Sequence, residues 1–187
     1  MIVTIQTPRF ILSTINEDHA EALQDFRWRN ESFFKPWGPA YSDYFFQLEF
    51  IQDFLRKQAI LTQHGIVLRL YIFHQSDKQL KNILGNITYS NIQRGVAQYC
   101  NLGYKIDERF NGQGIATESL NTGNQYAFET LKLHRIEANI MPHNKASIRV
   151  VEKLGFHKEG IAQKLLKING QWQDHIRYAL LNSNEEV

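Results

Sequence analysis

The sequence holds a single cysteine, Cys100, in 187 residues. One thiol closes no intramolecular disulfide and assembles no cysteine-based zinc site. The seven histidines are scattered without ligand spacing, so no catalytic metal is expected. Proline is scarce, at four residues, and no Pro/Ser-rich linker, repeat or low-complexity tract divides the chain. A single domain over 1–187 is therefore expected. No apolar run is long enough to span a bilayer. The N-terminal MIVTIQTPRF lacks the basic segment and apolar core of a secretory signal. Charge of one sign is also lacking: 21 Lys and Arg against 19 Asp and Glu leave a net charge of +2, too little to argue for nucleic acid. These absences point away from membrane and nucleic-acid partners and toward a reducing, cytoplasmic setting. Any anion site must be local.

Hydrophobic residues make up 43% of the chain, enough for a buried core. Phe10–Ile15 reads as a first strand. Thr14 and Glu17 have capping-box spacing, with Asn16 a rival cap, and a helix runs on to about Arg29. Phe33–Pro39 is an aromatic loop, and a second helix covers about Asp43–Gln63. Ile66–His74, Ile83–Ile92 and Ala97–Ile106 read as strands. Ala116, Leu120, Gly123, Ala127 and Leu131 then recur at gaps of 4, 3, 4 and 4, which makes one helix face. Ile136–Ile140 is a short strand, and a helix from about Asn144 to Leu154 ends at Gly155. Ala162–Ile168 and Trp172–Leu181 flank Asn169-Gly170, a strong hairpin signal. The order predicts an α+β fold: a mainly antiparallel sheet of about seven strands flanked by helices. Its open edges leave room for a homodimer.

The stretch ERFNGQGIATE (108–118) sets two glycines, Gly112 and Gly114, directly before a helix. A helix N-terminus offers free N–H groups and a partial positive charge, and glycine lets a ligand approach the backbone. That is an anion cradle, which Arg109 and Gln113 can supplement. A triphosphate P-loop needs Lys-Ser/Thr after its last glycine, and Ile115-Ala116 stand there. A dinucleotide fingerprint needs a βαβ start, and three strands precede this loop. A glycine-rich turn that only caps a helix is the alternative reading.

Arg109-x-x-Gly112-x-Gly114 after a strand resembles the acetyl-CoA signature of the GCN5-related N-acetyltransferases (GNAT). Asn144-Lys-Ala-Ser147 leading to Leu154-Gly155-Phe156 resembles that superfamily's N-x-x-S…LGF helix. FFKPWGP (33–39), NILGNITYSNIQRG (82–95), LGYKID (102–107), HRIEANIMPHNKAS (134–147) and GQWQDH (170–175) are similar to the RimJ/RimL group of ribosomal-protein N-terminal acetyltransferases, the RimJ branch most closely. The resemblance covers about residues 8–181.

The resemblance implies a V-shaped splay between the fourth and fifth predicted strands. It implies acetyl-CoA as co-substrate, its pyrophosphate on Arg109, Phe110, Asn111, Gly112, Gln113, Gly114, Ile115 and Ala116. The pantetheine arm would run along Leu102, Gly103 and Tyr104, and Asn144 would contact it. An asparagine before a helix also serves as a plain N-cap. Ser147 heads the inward stripe Val150, Val151, Leu154 and is the expected proton donor to the leaving thiolate, with a self-bonded helix-start hydroxyl as the alternative. Glu137 is the expected base, acting through water. An α-amine with a pKa of about 7.7–8 needs no strong base. Phe34, Trp37 and Trp172 are expected to wall the acceptor site. Cys100 is read as a core thiol.

The expected activity is transfer of acetyl from acetyl-CoA to a primary amine, that of a protein N-terminus, plausibly ribosomal. Acetylation of a small amine such as a polyamine, amino acid or drug stays open, as does a non-catalytic CoA-binding or ribosome-associated module.

Overall fold

The computed structural model describes residues 2–183; Met1 and residues 184–187 of the expected domain lie outside the described residues. In chain order the elements are β1 (Thr4–Gln6), β2 (Phe10–Ser13), α1 (Ala20–Arg29), α2 (Glu31–Phe34), α3 (Leu48–Gln63), β3 (Leu68–His74), β4 (Gly85–Gln93), β5 (Tyr99–Ile106), α4 (Ile115–Glu129), β6 (Arg135–Ile140), α5 (Lys145–Lys153), β7 (His157–Ile168) and β8 (Gln171–Leu181). The strands form one sheet in the order β1-β2-β3-β4-β5-β6-β8-β7. Eight strands replace the expected seven. The addition is β1, three residues long, whose Thr4, Ile5 and Gln6 pair with Ser13, Leu12 and Ile11. Three residues carry too little alternation to be read as a strand. Most of the expected Phe33–Pro39 loop is helical: α2 continues into a single 3₁₀ turn at Lys35–Trp37, with Pro36 near its start, where a missing N–H costs nothing, and only Gly38 and Pro39 are left as loop.

The sheet buries both faces. On one, Leu12, Leu70, Ile87, Tyr89 and Leu102 pack under α4 and α5 through Leu120, Ala127 and Val151. On the other, Ile11, Tyr71 and Phe73 pack under α1 and α3 through Leu23, Phe26, Ile51 and Leu55. The stripe expected on α4 is observed at Leu120, Gly123 and Ala127, with Ser119 and Asn124 buried beside it. Asn124 is buried because its Oδ1 accepts from the Tyr89 hydroxyl at 2.9 Å. Gly123 lets that tyrosine in: a Cβ there would lie 2.5 Å from the Tyr89 oxygen.

Every neighbouring pair of strands is antiparallel except β5 and β6, which are joined by the α4 crossover and run parallel. Their ladder runs only from Tyr99–Arg135 to Leu102–Ala138. Beyond it β5 continues to Ile106 beside β4, and β6 to Ile140 beside β8, so the two strands part. This is the splay expected between the fourth and fifth predicted strands. A bulge in β4 between Ser90 and Gln93 lies opposite the start of β5 and adds local twist.

Candidate active site

The pyrophosphate cradle of the sequence reading is a built loop. Asp107 ends β5, caps a 3₁₀ turn over Glu108–Phe110 by accepting from the Arg109 N–H, and is buried. Burial alone would raise its carboxyl. Hydrogen bonds from Arg109 and Arg29 overcome that and hold it at about 2. Gly112 and Gly114 both sit at φ +78°, the left-handed region. Gly114 thereby turns the chain into α4 as its N-cap. Among the described residues, no protein acceptor pairs with the N–H groups of Gly112, Gln113, Gly114, Ile115, Ala116 or Thr117. Six amides and the N-terminal end of a helix dipole are thus available to an anion.

Arg109 is less free than expected. Its Nε and Nη2 are spent on Asp107, at 3.1 and 3.0 Å, so it braces the loop from below. The exposed cation nearest the glycines is Arg9, which sequence reasoning passed over. Its Nη2 lies 3.4 Å from a Cβ built at Gly114, its Nη1 donates to the Gln113 carbonyl at 3.2 Å, and its Nε donates to Glu118 at 2.6 Å. Glu118 also accepts from Thr7 and from the Arg9 backbone. Nothing local in the sequence links residue 9 to residue 113; the sheet does.

From the splay a groove of about 1140 Å³ opens toward α1, α3 and the aromatic turn. Leu102, Gly103, Tyr104, Asn144, Ser147, Phe34 and Trp37 all line it, so these expected site residues come together. Asn144 caps α5: its Oδ1 accepts the Ser147 N–H at 3.1 Å. The Tyr104 hydroxyl donates to the Ser147 carbonyl at 3.2 Å. Burial pushes the Tyr104 phenol up to about 12, so it stays protonated near neutrality. Trp37 packs on His143, ring centroids 5.5 Å apart.

Two expected residues fall elsewhere. Glu137 does not line the groove. Its oxygens are taken by Arg135 at 2.7 Å and Arg177 at 3.3 Å. Trp172 is 61% exposed and outside the groove; strand alternation sends it outward while Leu166, Ile168 and Asn169 of the same hairpin face in. The hairpin turn itself is as expected, with Asn169 and Gly170 at φ +43° and +81°. The Asn169 N–H donates to the Gly38 carbonyl at 3.0 Å, which ties the hairpin to the aromatic turn across the groove. Cys100 is fully buried in the core, and burial first, then Glu137, pushes its thiol up to about 12.

The acetyltransferase (GNAT) domain family matches residues 9–157, most of the chain. This chain belongs to the GNAT acetyltransferases. It is 40% identical over 167 residues to the probable N-acetyltransferase YjcK of Bacillus subtilis, covering 89% of this chain and 91% of that protein. It is 35% identical over 185 residues to the ribosomal protein uS5-alanine N-acetyltransferase of Escherichia coli, covering 95% and 90%. Among solved structures, the ribosomal-protein-S5-alanine acetyltransferase from Vibrio fischeri superposes with a TM-score of 0.91 at 31% identity, over 99% of this chain and 100% of that one. Mycobacterium smegmatis RimJ, solved in complex with CoA-disulfide, superposes with a TM-score of 0.88 at 25% identity, over 100% and 89%.

A GNAT acetyltransferase uses acetyl-CoA as its acetyl donor, and the residues of this one fit that co-substrate. Six unpaired amides suit a diphosphate. Past Leu102, the edge of β5 that faces β6 has no partner strand, so it can pair with an extended amide-bearing arm. The groove holds two further polar groups that the sequence reading missed. Asn139 lines the groove just beyond the last β5–β6 pair, and its Oδ1 is buried with no donor. His175 lines it as well, 3% exposed, with Nδ1 3.0 Å from the Gln173 carbonyl. A carbonyl only accepts, so Nδ1 is the donor of this pair and Nε2 is the ring nitrogen left out of it. His175 lies in the quoted GQWQDH stretch; its inward direction follows from the register of β8, which the motif alone does not state.

Proposed function

We propose that this N-acetyltransferase acetylates the α-amine at the N-terminus of a protein, a ribosomal protein in particular, with residues 1–187 acting as one catalytic domain. The observation that carries the reading is the groove: it opens from the splay onto a broad face walled by α2, the aromatic turn and the β7–β8 hairpin, a shape suited to an extended chain end. The two relatives named for S5-alanine acetylation match it over nearly its whole length. Acetyl-CoA supplies the acetyl group already activated as a thioester.

The chain's own residues do the rest. The amides of 112–117 seat the diphosphate, and Leu102–Tyr104 hold the arm at the splay. A backbone N–H at the end of the β5–β6 ladder polarises the carbonyl. Asn139 Oδ1 accepts a hydrogen bond from the incoming amine, and His175 Nε2 takes its proton as the C–N bond forms. Ser147 Oγ protonates the sulfur as the C–S bond breaks and regains a proton from solvent, to which His175 returns the one it took from the amine. Positioning two reactants in one cleft supplies much of the acceleration. Glu137 holds Arg135 and Arg177 and takes no part in proton transfer. Turnover of acetyl-CoA with peptides beginning Ala, Ser or Met, set against spermidine and free amino acids, tests the reading. Preference for spermidine or free amino acids over every peptide would replace it.

A further inference from the structure

The groove floor is unexpectedly cationic. Strand register sets Tyr71, Asn86 and Lys105 in one row across β3, β4 and β5, and Arg69, Thr88 and Gly103 in the next. Arg27 joins them from α1. Among the described residues the only carboxylate lining the groove is Glu31, exposed at its lip. Among the described residues, Arg27, Arg69 and Lys105 form no ion pair. Arg27 Nη1 donates to the Phe45 carbonyl at 2.7 Å, with its guanidinium 3.9 Å from the Phe45 ring centroid. Arg69 sits 5.0 Å from the Phe54 ring centroid, and its Nε is buried with no hydrogen-bond partner. The Tyr71 hydroxyl beside it is buried, and its side-chain partner is Arg69 itself. Lys105 Nζ lies over two rings, 4.9 Å from the Phe34 centroid and 5.7 Å from that of Tyr41.

Buried cations without counter-ions are costly, and aromatic faces offset only part of that cost. Burial first, then repulsion from Arg69 and Arg27, brings the Lys105 amine down to about 8. Arg27 can be understood as aromatic packing for α1 and α3. That account does not extend to an unsatisfied Arg69 Nε or to a lysine held against two rings in an open groove. An anion entering the groove would satisfy both.

Strand geometry gives the reach. The ladder ends at Leu102–Ala138, so the reacting carbon is expected opposite Gly103. Lys105 is two residues further along β5, about 7 Å, and Arg69 is two strands across, about 10 Å. An extended peptide advances about 3.3 Å per residue. Resting on the N-terminal acetylation proposed above, we infer that the acceptor peptide carries an acidic residue at its second or third position, its carboxylate seated between Arg69 and Lys105 with Arg27 behind them. The same cluster repels a polyamine.

Three peptides sharing a neutral tail test this: Ala-Glu-Glu, Ala-Ala-Ala and Ala-Lys-Lys at the N-terminus. kcat/KM is measured for each, with calorimetric affinity for the CoA-loaded enzyme as a second readout. The acidic peptide should exceed the neutral one by about 10-fold in both, and the basic one should be poorest. In Arg69→Gln that preference should fall to within about 2-fold while CoA affinity holds, and Arg69→Lys should restore part of it. Lys105→Gln serves the same purpose if Arg69→Gln does not fold. Equal turnover and equal affinity for all three peptides overturns the acidic subsite and leaves N-terminal acetylation standing. Tighter acidic binding with no peptide turned over keeps the subsite and sinks N-terminal acetylation. Neither preference nor turnover sinks both.

Discussion

The Tyr104 hydroxyl donates to the Ser147 carbonyl oxygen at 3.2 Å, linking β5 to the first turn of α5 where the two strands part. Asn144 holds the same turn from its other side through the Ser147 N–H. Ser147 thus lines the groove with its backbone pinned on both sides.

Ser147→Ala should lower kcat by about 10²-fold, the scale of a lost general acid, with CoA affinity within about 2-fold of the parent. Tyr104→Phe removes one hydrogen bond of about 1 kcal/mol and should cost several-fold in kcat only. Steady-state kinetics with calorimetry for CoA separates the two. An unchanged kcat for Ser147→Ala would reduce Ser147 to a structural residue.

Gly114→Val should abolish CoA binding. A branched side chain would stand over the free amides and meet Arg9, and the φ of +78° is hostile to it, at about 1–2 kcal/mol. Circular dichroism should still report a folded protein. Calorimetry returning the parent affinity would remove the diphosphate from this loop.

Arg9→Ala should raise the KM for acetyl-CoA several-fold with little change in kcat, since it frees the Gln113 carbonyl and Glu118 but touches no groove residue. The carboxylates braced around this loop also set an acid limb. The Asp107 and Glu118 carboxyls are both held below their ordinary values, Asp107 at about 2 against 3.8. Their stabilisation is present above the unfolded values and is lost as pH falls through the folded ones. For Asp107 it is worth about 2 kcal/mol. Asp107→Asn should therefore lower Tm at pH 7 and flatten the loss of stability between about pH 5 and pH 2, read by thermal scans across that range.

Lys105→Met should make the protein more stable and the enzyme worse. Below pH 8 the folded chain bears a buried cation repelled by its neighbours, and that penalty lifts as pH rises from about 8 toward 10.5. The parent should thus gain stability over that window relative to Lys105→Met, which has no group to titrate there. A Tm raised by a few degrees at pH 7, with turnover of acidic peptides reduced, is the expected pair of results.

Gly123→Ala should destabilise by about 1–3 kcal/mol. The new methyl meets the Tyr89 hydroxyl, which is fully buried and bonded to Asn124 and cannot swing away. Tyr89→Phe with Gly123→Ala should recover part of the loss in a double-mutant cycle of denaturation midpoints. Full additivity would show the contact to be unimportant.

Chain-local features were readable before folding. The two glycines ahead of α4, the Asn144 cap, Gly155 at φ +83° after α5 and the Asn169-Gly170 turn each depend on the conformational freedom or side-chain reach of a few consecutive residues. These, strung in order with the motifs around them, were enough to place the chain among the GNAT acetyltransferases and to single out the glycine loop ahead of α4. The placements of Glu137, His175, Trp172 and Arg9 were not readable. Whether a strand residue faces the groove, the core or solvent depends on register, and register belongs to the whole sheet, since a slip of one residue reverses every side chain. Arg27, Arg69 and Lys105 are far apart in the chain and meet only because α1 packs over three paired strands. The sequence by itself determined where the backbone could grip an anion; only the tertiary structure decided which side chains line the cleft, because that depends on the register of the whole sheet.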